Sequence, residues 1–178
     1  MKKTLSTTAV TLLLAGLAAC SSNSGSGASD QQSTTGKAGA SATPTASKPL
    51  DASNAFTQIS GKVASAKLSG TVTAANDPNH LLGRPGQYTS KITFDDTRIP
   101  ASEVSGTDKG DIERGGAIEA FATAADARSR AKYIAAVTKS MSALAEYDYV
   151  HGTVLVRVSH YLTPAQAAAY KAAIGKLS

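Results

Sequence analysis

Within ten positions, Asn79, His80, Arg84, Gln87 and Tyr88 concentrate hydrogen-bonding side chains in a segment rich in turn formers. Arg84 offers a planar guanidinium fork suited to a carboxylate or a phosphate. A loop that leads into a strand is where recognition groups commonly sit, so these five residues form a candidate binding loop. The same groups can instead satisfy the loop's own backbone. In that case Gly83 and Gly86 of Leu82-Gly83-Arg84-Pro85-Gly86 serve as turn residues at positive φ. Pro85 lacks the amide that a phosphate cradle would use. A nonstandard hydrolase or transferase site would have to be built around His80 and Asp77.

Other chemistry is sparse. His80, His151 and His160 form no HxH or HxxxH pair, so a metal site would need distant carboxylates. Asp108, Asp111 and Glu113 lack the spacing and terminal glutamate of an EF-hand loop and read as a polar connector. There is no Gly-x-Ser-x-Gly elbow, Walker loop or dinucleotide fingerprint. The expectation is therefore no catalytic set, no metal and no cofactor. A single cysteine among 178 residues excludes a disulfide scaffold and a zinc ribbon. The formal charge of +5 falls to +3 if Lys2 and Lys3 are removed with a leader, and the remaining charges are interspersed. That pattern is an ordinary solvated surface rather than the basic stripe of a nucleic-acid reader.

The elements that must carry these residues lie in residues 51–178, which hold all three Phe and all six Tyr. A helix over Ala52–Ala66 is predicted from the phase of Phe56, Ile59 and Val63, weakened by Gly61. Thr123 caps a second helix, with Asp126 at N3 and apolar positions recurring through Met141. Leu162-Thr163-Pro164-Ala165-Gln166 combines a cap hydroxyl, Pro at N1 and Gln at N3, so a third helix follows and can end at Gly175.

Between them lie strands. Tyr88, Ser90, Ile92 and Phe94 alternate with polar residues, and Leu68, Gly70 and Val72 alternate more weakly. Gly116–Phe121 leads into the Thr123 cap, and Tyr147–Val150 joins Val154–Val158 through a hairpin at His151-Gly152. The expected fold class is α+β: a mostly antiparallel sheet of four to five strands with two to three helices packed on one face. If the Ile118 and Val156 strands share the sheet, they are expected to be parallel, joined by a right-handed crossover through the helix.

Residues 1–19 read as an export signal, with Lys2-Lys3 ahead of an apolar stretch too short to span a bilayer. Of the 30 residues from Ser21 to Leu50, 23 are Ser, Thr, Gly, Ala or Pro, a composition that predicts a disordered tether. Such a coil spans about 30 Å on average. Leu17-Ala18-Ala19-Cys20 resembles the lipobox of bacterial lipoproteins, which implies cleavage before Cys20 and a diacylglyceryl thioether on it. Two acyl chains anchor a protein where one barely holds it.

Asp77–Lys91, Gly115–Phe121 and Glu146–Val158, taken with the lipobox and the tether, resemble lipoproteins of actinobacteria. That resemblance implies a location on the outer face of the cell membrane and supplies no catalytic residue. The expected partners are the membrane, through the acyl chains, and a cell-wall polymer or envelope protein, with no nucleic acid. A binding or interaction module is the favoured function; an envelope hydrolase or transferase and a small solute receptor are the alternatives.

Overall fold

Asp51 opens the first helix by accepting the Asn54 amide at 2.8 Å, and Ala52, Ala55 and Ile59 form its buried stripe. This helix, α1 (Ala52–Ser60), stops at Gly61 rather than reaching Ala66. Glycine is a poor helix former, and Ala66 is claimed by the pairing of the first strand. The computed structural model describes residues 49–178. The leader, Cys20 and the tether as far as Lys48 lie outside the described residues. Leu50, assigned to the tether on composition, packs against the main core.

The strands are β1 (Ala66–Thr71), β2 (Tyr88–Asp96), β3 (Gly115–Phe121), β4 (Glu146–His151) and β5 (Val154–Ser159). α2 (Ala124–Thr138) follows β3, and α3 (Pro164–Ile174) closes the domain. Both helices start at the caps read from the sequence. Thr123 accepts from the Asp126 amide at 3.1 Å. Thr163 and Gln166 form a reciprocal capping box. α2 ends at Thr138, and Met141, expected on its buried face, is exposed.

The sheet is antiparallel throughout, in the order β1-β2-β3-β5-β4. The fold is thus α+β, as the sequence implied. Its topology corrects one expectation: β3 and β5 are antiparallel neighbours, not a parallel crossover pair. α2 carries the chain from β3 to the edge strand β4, and the β4–β5 hairpin then inserts β5 between them. The hairpin turn is Gly152-Thr153, one residue later than expected, because His151 still pairs with Val154. Gly152 supplies the positive φ of 53° at the first turn position.

Two helices share one face of the sheet. α1 and α3 cover Ile92, Phe94, Ile118, Val154, Val156 and Val158. α2 lies on the other face, where Ala127 and Ile134 meet Tyr88, Phe121 and Leu155. Tyr88 was expected on the face of Ile92 and Phe94. A bulge between Tyr88 and Ser90 turns it to the opposite side, where it meets the Phe121 ring edge-on at 6.4 Å.

Candidate binding cleft

The face beneath α2 carries charge where a core would be expected. Alternation that buries Ile118 under α1 and α3 sends Glu119 to the α2 side, where it is fully buried. Register places Lys91 directly across from it, and their charged atoms are 3.1 Å apart. Arg130 reaches down from α2 to the other carboxylate oxygen at 3.1 Å. Arg157 of β5 approaches at 3.4 Å and forms two bonds of 2.9 Å to Glu146 of β4. Burial alone would raise the Glu119 pKa; the charges of Lys91, Arg130 and Arg157 outweigh it and hold the carboxyl below its usual range.

Asp148, paired with Arg157 in register, behaves in the opposite way. Burial first, and the neighbouring Glu146 second, push its carboxyl up to about 7. Its Oδ1 is buried without a hydrogen-bond partner.

Two hollows open beside this network. One of about 250 Å³ is lined by Lys91, Arg157, Glu146 and His160, with Asn79 and residues 110–113. The other, about 550 Å³, lies over Thr93 between Ser69–Val72 and Asp108–Asp111. They share Pro78, Lys91, Gly110 and Asp111, so together they form one cleft with Lys91 in the dividing wall. Gly70 and Gly110 let two backbone segments approach the Thr93 side chain. A Cβ at either position would stand 3.3 or 3.4 Å from its hydroxyl. His160 is held at the cleft by a 2.8 Å contact from Nδ1 to the Ala145 carbonyl.

The loop singled out in the sequence is organised by Asp77. This carboxylate is buried and accepts the Tyr88 hydroxyl at 2.7 Å, the Asn79 amide at 3.1 Å and the Leu81 and Leu82 amides at 2.8 and 2.9 Å. Burial would raise its pKa, yet the Tyr88 hydroxyl and these amides lower it to about 2. Both carboxylate oxygens are thus committed to the loop rather than to His80. His80 takes φ 52°, and Gly83 and Gly86 adopt φ 76° and 72°, as turn chemistry required.

The five loop residues do not converge. Asn79 lines the Lys91 cleft. Gln87 lines a separate hollow of about 300 Å³ beside Arg130 and Tyr133. Tyr88 is buried, whereas His80 and Arg84 are exposed. Among the described residues no group of three or more His, Cys, Asp or Glu is arranged to hold a metal ion, and no helix is long and apolar enough to cross a membrane.

Sequence reasoning missed Lys91, Glu119, Arg130, Glu146 and Arg157. A signal existed for two of them. Glu119 and Arg157 each interrupt a strand whose neighbours are largely apolar, and charges in such positions are rarely buried unless paired; Lys91 sits among Thr89, Ser90 and Thr93 and gives no such sign. Comparison with family models, curated proteins and solved structures found no match. The class is therefore set by geometry alone: an antiparallel α+β domain with a polar cleft floored by a buried ion network.

Proposed function

We propose that this protein is a lipid-anchored extracytoplasmic binding module. Cys20 carries the acyl chains, the tether holds residues 51–178 away from the bilayer, and the cleft beside Lys91 takes a polar ligand of the cell envelope. The observation that carries the binding reading is Lys91 itself, 6% exposed and bordering both hollows. A buried ion pair adds little stability over apolar packing, so a buried lysine in the wall of both hollows is better explained by recognition. The anchoring half rests on the lipobox-like Leu17–Cys20 segment, the Ser/Thr/Gly/Ala/Pro tether and the resemblance to actinobacterial lipoproteins.

Each half has its own test. Cys20→Ser is expected to move the protein from the membrane fraction to the soluble fraction; unchanged membrane retention would refute lipid anchoring. Full-length protein titrated with solubilised wall fragments is expected to bind them, and Lys91→Met to weaken that binding about tenfold or more, the scale of one lost charged hydrogen bond. Equal binding by the variant would remove the cleft from the proposal.

A further inference from the structure

The cleft's charges are ordered in depth. Lys91, Arg157 and Glu146 line its smaller hollow, and behind them Glu119 and, from α2, Arg130 complete the ion network, which leaves one positive charge in excess. The raised pKa of Asp148 keeps it from cancelling that excess in acidic solution. Glu119 is the only ion-pair partner of Lys91 among the described residues. An ammonium has three donors, so Lys91 retains donor capacity toward the space it borders.

The rim has the opposite sign. Asp108 and Asp111 line the larger hollow and Glu113 the smaller one. Lys109 stands among them, so the rim remains net negative. The Asp111 Oδ2 is used by the Asp108 amide at 2.8 Å. A simple anion entering this cleft meets acidic side chains first, and a simple cation meets Lys91 at the floor. A molecule with both charges satisfies both layers, and about 550 Å³ lies within the range of small-molecule sites.

Resting on the binding reading above, we propose that the cleft takes a zwitterion of amino-acid or short-peptide size, with its carboxylate on Lys91 and its amino group at the Asp108–Asp111 rim. The test is calorimetric titration of the full-length protein in detergent with three probes: alanyl-alanine, its N-acetyl form and its C-terminal amide. The free dipeptide is expected to bind, and each blocked form to bind about tenfold or more weakly, since each loses one charged contact.

Lys91→Met is expected to abolish dipeptide binding. Because that change disturbs the buried network, an Asp108→Asn/Asp111→Asn double variant at the exposed rim provides the second arm. It is expected to bind the free and N-acetyl dipeptides equally. Equal binding of all three probes by the wild type, or a rim variant that still discriminates between the free and acetylated forms, would overturn the proposal. If no dipeptide binds while wall fragments still bind in a Lys91-dependent manner, the zwitterion class is wrong and the binding module stands. If neither binds, both fall.

Discussion

The two faces of the sheet solve burial differently. Under α1 and α3 the contacts are apolar and aromatic. Phe94 stacks on Tyr170 at 5.4 Å and meets Phe56 at 6.0 Å. The polar exception is Asp96, which accepts the Tyr170 hydroxyl at 2.6 Å, the Ser65 hydroxyl at 3.1 Å and two nitrogens of the Arg98 side chain. Every element there is satisfied by a partner inside the domain. Under α2 the apolar contact is confined to one end. The remainder is an ion network, with Asp148 Oδ1 unpartnered and Lys91 bordering open space. The contrast separates a face built for cohesion from one that retains unmet polar capacity, and the second is where a ligand can contribute energy.

The largest effect is expected at the centre of the charged face. Glu119→Ala leaves Lys91, Arg130 and Arg157 without their common partner. It should destabilise the fold by about 4 kcal/mol, the cost of leaving buried charge uncompensated. Urea unfolding measures this, and a loss below about 1 kcal/mol would mean the network is effectively solvated and the contrast between the faces is false.

Next comes Gly116, where the cohesive face is tightest. A Cβ there would lie 2.1 Å from the Arg157 carbonyl and 2.6 Å from the Phe94 ring. Gly116→Ala should therefore cost about 3 kcal/mol by overpacking, read in the same unfolding experiment.

Tyr170→Phe is a smaller perturbation on that face. It removes one hydrogen bond to Asp96, whose other partners remain, at a cost of about 1 kcal/mol. A loss as large as that of Glu119→Ala would erase the distinction between the two faces.

The finest test is a slope. The Asp148 pKa is raised in the folded state, from 3.8 to about 7. The folded protein therefore binds more protons than the unfolded chain between those values, and the Asp148 contribution is lost as pH rises from about 4 to 7. Asp77 has the opposite sign: lowered to about 2, it stabilises above pH 4 and loses that contribution as pH falls toward 2. Asp148→Asn should flatten the decline between pH 4 and 7 with little effect on the acid limb. A wild-type stability profile that is flat across that interval, or unchanged by the substitution, would place Asp148 in water.

Much of the fold was legible because its signals are local. The Thr123 and Thr163 caps, the alternation of β2 and β5 and the turn glycines at 83 and 86 involve residues within a few positions of each other. The same locality explains the errors. Nothing near Tyr88 announces the bulge that moves it across the sheet, and nothing in β3 shows that β5 rather than β4 lies beside it. At the site, Asn79 was noted for its loop and belongs to the cleft for a different reason, its proximity to Lys91. Arg84 and His80 looked chemical by type but are exposed on a loop that Asp77 organises.

By itself, the sequence determined the class of the folded domain, its helix starts and the composition of the segment ahead of it, since propensity, capping and periodicity act over one or two turns. Tertiary structure alone decided which charges meet. Lys91, Glu119, Arg130, Glu146 and Arg157 come from four strands and a helix, and only strand order and register bring them within ion-pair distance. An isolated charge in a strand says that burial would be costly; it does not say which distant residue compensates it, or that one of the partners will be left facing a cleft.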